Sequence, residues 1–200
     1  MASSSGTYAT LKASASNDTS DFGERIHQAE EAAFVGRADL LAKLADFVAE
    51  ADTEPRFVAV VGPGGAGKTT LLRQLLRRVS RLREQRTVWL SGERIAPNVG
   101  AFEAAVAEHI DGGLGALGRS DVADVLVIDG YEKLRAIERW LLDDALPRAG
   151  ARLCVLVTTR EHFASRVRPF AGLGSLTREV VVPPFTDAEA GDYLNRRGVP

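Results

Sequence analysis

The sequence predicts an α/β domain of three layers, helices covering both faces of a parallel sheet. Two observations carry that prediction. Five short apolar runs alternate with helical stretches, as successive βαβ crossovers require. The runs, VLVI and LCVLV among them, are also apolar at consecutive positions, which marks strands buried on both faces.

The strand candidates are Phe57–Val61, Thr87–Leu90, Val125–Ile128, Arg152–Thr158 and Glu179–Val182. Helices are expected over Lys68–Arg83, Phe102–Ile110, Leu134–Ala145 and Asp187–Arg196. The last has its own start signal. Thr186 followed by Glu189 is a capping box, in which each side chain satisfies an orphan backbone N–H. The glycine-rich run 112–118 reads as a flexible connector ahead of the third strand. Residues 1–30 are biased to Ser, Ala and Thr and read as a disordered polar tail, with a transit peptide as the alternative that Asp18, Asp21 and Glu24 oppose. The remainder divides into a core, 31–185, and a short helical piece, 186–200, whose end directly after a helix is expected of a fragment of something longer.

Bulk composition excludes some classes. With 45% hydrophobic and 26% charged residues in 200, the chain is an ordinary globular one. Its formal charge of -2 gives no general pull toward nucleic acid or anionic lipid. Cys154 is the single cysteine, so no internal disulfide forms. Without a secretory or membrane-spanning segment, the expected compartment is the cytoplasm, with no membrane partner.

Between the first strand and its helix lies Gly62-Pro63-Gly64-Gly65-Ala66-Gly67-Lys68-Thr69-Thr70. It satisfies G-x-x-x-x-G-K-[ST] in full, in the strand-to-helix context that gives the motif its meaning. Glycines let consecutive amides turn inward as an anion nest, and the helix adds its unpaired N–H groups and positive dipole end. Lys68 is expected on the β- and γ-phosphates, the Thr69 hydroxyl on Mg²⁺, and Thr70 near the α-phosphate. The ligand this implies is ATP or ADP.

Asp129 ends the buried run VLVI and is expected to serve the same Mg²⁺. An Asp-Gly pair is also a common turn, but the phosphate loop upstream favours the metal role. Glu132, three residues on, is placed to orient or deprotonate water, or else is simply the exposed start of a helix. Arg160 closes the run RLCVLVTTR at the strand's carboxyl end, where an open α/β sheet meets its ligand. It reads as a γ-phosphate contact or, more plainly, a surface arginine.

Taken jointly, these segments resemble the STAND-class P-loop NTPases, the group of NACHT, NB-ARC and maltose-regulator-like ATPases related to AAA+ proteins. The resemblance runs from Phe34-Val35-Gly36-Arg37 through the phosphate loop, IDGYEKL and VLVTTR to Pro183–Leu194. It implies a core strand order of 5-1-4-3-2 and the start of a helical lid. It also places Phe34, Val35 and Arg37 against adenine, although Phe34 and Val35 serve equally as a hydrophobic staple. Gly198-Val199-Pro200 has the letters of the lid's GxP motif but follows the first lid helix too soon.

The function implied is an ATP-controlled switch that hydrolyses slowly and forms a homo-oligomer in the ATP state. An ADP-holding module without turnover is the second reading, and a P-loop kinase the third. Arg73, Arg77 and Arg81 make one stripe along the first helix and read as a solvated face, so a nucleic-acid partner is not indicated. Trp89 and Trp140 read as core, and the three histidines have no metal-ligand spacing.

Overall fold

The structure is a computed structural model describing residues 22–32, 34–49, 56–82, 84–120, 123–167, 169–170 and 172–198. It divides into two units, residues 1–33 and 34–200.

In the first unit, α1 spans Phe22–Ala32. This corrects the expectation of a structureless tail over its last part. The Ser/Thr bias gives way near residue 22 to Glu, Gln and Ala, which are strong helix formers. Residues 1–21 lie outside the described residues.

In the second unit, α2 (Ala38–Ala49) leads to β1 (Arg56–Val61), α3 (Lys68–Ser80), β2 (Gln85–Ser91), α4 (Val99–Ala107) and β3 (Ala123–Asp129). An irregular helical segment, Tyr131–Arg148, then leads to β4 (Leu153–Thr159). Two short helical turns, Ala164–Val167 and Leu173–Leu176, precede β5 (Thr177–Val181) and α5 (Asp187–Arg196). The sheet order is β2-β3-β4-β1-β5 with every pairing parallel. Viewed from the other edge this is the order 5-1-4-3-2. The registers Ser91↔Asp129 and Val61↔Thr159 bring the carboxyl ends of four strands to one edge.

Period-two side chains explain why both faces are dry. Phe57, Ala59, Leu126, Ile128, Val155 and Val157 pack on one side with Phe102, Tyr131 and Phe163. Val58, Val60, Val125, Val127, Cys154 and Leu156 pack on the other with Leu44, Leu71 and Leu75. Trp89 and Trp140 sit at the margins, only partly buried. No helix among the described residues is long and apolar enough to cross a membrane.

Three local features differ from the sequence expectation. The stretch expected as one helix over Leu134–Ala145 is a 3₁₀ helix, Tyr131–Ile137, then one α-turn and a π-turn, Leu141–Ala145. The buried side chains Tyr131, Leu134 and Ile137 recur every three residues, the 3₁₀ period. The glycine-rich run is pinned rather than flexible: the Gly118 amide donates to Asp124 Oδ2 (2.6 Å), and the Gly118 carbonyl accepts from the Arg152 amide (3.2 Å). Helix α4 starts earlier than its apolar residues suggest, because Asn98 caps it by accepting from the Ala101 amide (2.9 Å). The Thr186–Glu189 capping box is present in full.

Candidate functional site

The phosphate-type loop runs from the end of β1 into α3. Gly65 and Gly67 have φ of 76° and 80°, left-handed angles that a side chain would strain. Gly62 is needed for a different reason, since a Cβ there would collide with the Val182 carbonyl. Ala66 turns inward and is buried among the residues under α3. No side chain caps α3, and its first internal bond runs from the Leu71 amide to the Gly67 carbonyl (2.9 Å). The amides of Lys68, Thr69 and Thr70 are therefore the helix's orphan donors, gathered at its positive end.

Lys68 Nζ donates to the carbonyls of Gly62 (2.8 Å) and Pro63 (2.9 Å), which holds the ammonium over its own loop. Burial keeps its pKa below the ordinary lysine range, Glu132 opposes that shift, and Arg160 reinforces it.

Across the cavity, Asp129 Oδ1 accepts from Thr69 Oγ1 (3.0 Å) and from Thr158 Oγ1 (2.6 Å). The Thr158 hydroxyl in turn accepts from the Gly130 amide (2.8 Å), so one residue of β4 orients both Asp129 and the turn after it. Arg160 Nε lies 3.3 Å from Glu132 Oε1. The other oxygen, Glu132 Oε2, is buried without a hydrogen-bond partner among the described residues. The guanidinium of Arg160 also sits beside Gly64, within van der Waals reach of a Cβ there. Together Gly64, Gly65, Lys68, Thr69, Asp129 and Glu132 line a cavity of about 210 Å³ with Thr158, Arg160, Ser91 and Glu93. Ser91 and Asp129 also line a larger cleft beside it, about 730 Å³, running out between α4 and Arg73. Arg73 itself lies over the Trp89 ring, 5.8 Å from its centroid.

The structure thus brings Lys68, Thr69, Asp129, Glu132 and Arg160 to one cavity. Phe34, Val35 and Arg37 do not line it. Val35 is buried, and Phe34 packs against the cluster containing Ala66 and Val182. Arg37 is nearly all buried, donates Nη2 to the Pro183 carbonyl (2.8 Å), and lies 4.6 Å from the centroid of the Phe185 ring. Its burial lowers its pKa, and Glu189 pulls the other way. Its Nε and Nη1 have no hydrogen-bond partner among the described residues.

Sequence reasoning missed Thr158, Ser91 and Glu93. For Thr158 a signal existed, since Thr158 and Thr159 are two buried hydroxyls ending an apolar strand. Ser91 and Glu93 follow only from the register that sets Ser91 opposite Asp129.

The site's chemistry suits a polyphosphate and a hard divalent ion. A carboxylate and a hydroxyl are oxygen donors of the type Mg²⁺ prefers. Among the described residues no cluster of three His, Cys, Asp or Glu forms a self-contained metal site. A divalent ion here would share its ligands with phosphate oxygens and water, as Mg²⁺ commonly does.

A family model described as Novel STAND NTPase 1 matches residues 24–196. The chain belongs to that family. A search of curated proteins returned no significant match. Among solved structures, a chain of the Drosophila ORC bound to DNA is 16% identical with a TM-score of 0.63, over 98% of this chain and 56% of that one. Cdc6p from Pyrobaculum aerophilum is 17% identical with the same TM-score, over 85% and 52%. The Aeropyrum pernix ORC2 protein in ADPNP–ADP complexes is 14% identical with a TM-score of 0.58, over 83% and 53%. At these identities the likeness is one of fold. This STAND NTPase chain spans about half the length of the structures it matches.

Proposed function

We propose that the chain is the ATP-binding core of a molecular switch, hydrolysing slowly and changing conformation with the nucleotide it holds. The observation that carries this is the facing of two half-sites. An uncapped helix end with Lys68 and Thr69 stands on one side, and Asp129, bonded to Thr69, stands on the other. Adenine nucleotide is favoured by the fold likeness to a protein solved with ADPNP and ADP.

In this reading the amides of residues 64–70 and the Lys68 ammonium hold the phosphates. Thr69 and Asp129 hold Mg²⁺, which when bound would neutralise phosphate charge. Glu132 orients the attacking water, and Arg160 meets the terminal phosphate. Helix α5 begins the lid, seated through Pro183 and Phe185 on Arg37, while Phe34 and Val35 back the base site. Oligomerisation in the ATP state and a cytoplasmic setting belong to the same reading.

Titration calorimetry with Mg²⁺ and ATP or ADP tests it. Lys68→Ala is expected to weaken affinity by about a hundredfold, the scale of losing charge-assisted bonds worth about 3 kcal/mol. Equal affinity in both proteins would remove the nucleotide from the account. A second reading, ADP retention without turnover, draws on the Glu132–Arg160 pair, which occupies the expected base. Radiolabelled ATP turnover by wild type and Glu132→Gln separates the two.

A further inference from the structure

The segment after β3 and the segment after β4 carry complementary charges. Glu132, Arg135 and Glu138 recur every three residues along the irregular helical segment, the first two in its 3₁₀ part and Glu138 at the start of the α-turn that follows. Facing them are Arg160, Glu161 and Arg166. The contacts form in sequence. Thr158 bonds Asp129 and the Gly130 amide, Arg160 pairs with Glu132, Glu161 with Arg135, and Arg166 Nη2 with Glu138 Oε2 (2.5 Å). Arg166 Nη1 also lies 3.6 Å from Glu161 Oε2, which ties the last two rungs together.

These rungs are unequal. Arg135 and Glu161 are about half exposed, and Arg160 more so, so their attractions are screened. Arg166 and Glu138 are only 18% and 17% exposed, so this rung sits in a lower dielectric and anchors the others. Beneath it Phe163 stacks on Phe57 at 5.0 Å and meets the edge of Tyr131 at 5.3 Å. The Arg166 guanidinium lies 5.9 Å from the centre of the Phe163 ring. The Tyr131 hydroxyl is buried, and burial together with Glu138 holds its proton on.

We propose that Arg166 is a positioning residue: through Glu138 and Glu161 it locks the two segments together, so that Glu132 and Arg160 keep one fixed relation and shift as a unit. This rests on the ATPase reading above. The ladder sits behind the reacting groups, so its loss misplaces them without removing a phosphate contact. Misplacement of about 1 Å costs on the order of a hundredfold in rate, and a loosened rung a fraction of that.

The test is ATP turnover with Mg²⁺ by the full chain, alongside the dissociation constant of a fluorescent ADP analogue. Arg166→Met is expected to lower kcat by about tenfold while the dissociation constant moves by less than about twofold. Glu161→Gln, at a more exposed position, is expected to lower kcat by about threefold and covers the case in which Arg166→Met fails to fold. Arg166→Lys, which keeps a cation between Glu138 and Glu161, is expected to retain most of the turnover that Arg166→Met removes. A side chain that merely filled space would be replaced as well by methionine as by lysine. Wild-type kcat in Arg166→Met and Glu161→Gln overturns the ladder and leaves the ATPase reading standing. A wild-type chain that binds no nucleotide, or binds it without turnover, defeats the ATPase reading and the ladder with it.

Discussion

Strand β3 carries an aspartate near each end, and the two are satisfied in opposite ways. Asp124, at the amino end, is wholly buried. It takes both Nε and Nη2 of Arg86 at 2.8 Å and the Gly118 amide at 2.6 Å, a closed set of partners. Asp129, at the carboxyl end, accepts from two hydroxyls, and among the described residues no cationic side chain comes within ion-pair distance of it. One carboxylate finishes a structure. The other is left without a cation, as the proposed Mg²⁺ role requires. The same residue type on the same strand is thus held by a closed ion pair at one end and by two hydroxyls at the other.

Four substitutions test how carboxylates are held here, beginning with the largest effect. Arg86→Ala strands a carboxylate that water cannot reach, because the Asp124 side chain is 0% exposed against 41% for Arg86. Discounted for the solvent around Arg86, the expected loss is about 3 kcal/mol, or about 6–12 °C in melting temperature. Asp124→Ala should cost less, since the freed guanidinium can hydrate. Thermal unfolding of both proteins reads the difference, and a smaller loss in Arg86→Ala than in Asp124→Ala would reverse the assignment.

Next comes Asp129→Asn. The amide keeps an oxygen for Thr69 and Thr158, so the melting temperature is expected to stay within about 2 °C of wild type. Magnesium-dependent turnover is expected to fall by about a hundredfold. A large loss of stability would make Asp129 a second Asp124.

The smallest effect concerns Glu179 on β5. It accepts from His162 Nδ1 (2.6 Å) and from the amides of Phe163 (2.7 Å) and Ala164 (2.9 Å). Burial pushes its pKa up, but these bonds outweigh burial and hold it below 4.5. A depressed carboxylate contributes stability above its unfolded pKa and loses it as the pH falls through the folded one. Glu179→Gln should therefore melt below wild type at neutral pH, and the two should converge in acid as the pH falls through the depressed folded pKa. Parallel melting curves across that range would show that the charge contributes nothing.

Much of this molecule could be read from its sequence, because its signals are local. The loop from Gly62 to Thr69 names its own backbone geometry, and apolar runs such as VLVI state that both faces of a strand are covered. The Thr186–Glu189 box needed four residues and no tertiary context. What was not legible depends on pairs distant along the chain. Arg86 and Asp124 stand 38 residues apart with no pattern joining them, and Arg37 finds Pro183 across 146. The strand order itself came from the family likeness, since spacing fixes neither neighbours nor register. The irregular segment 131–148 is a further case: its three-residue burial period lies close enough to the α-helical one to pass for it.

The place of β1 between β4 and β5 has a consequence for how the chain is made. Its sheet partners are β4 and β5, with Phe57 meeting Val155 and Thr177, so both neighbours leave the ribosome long after it does. Until then an almost wholly apolar strand waits with both edges bare, while β2 and β3 can already zip together. Vectorial synthesis therefore allows the β2–β3 pair first, while the second edge of β1 is covered only when β5 is made. A chaperone that masks Phe57–Val61 during that interval would raise the yield of soluble protein more than one acting on any other strand.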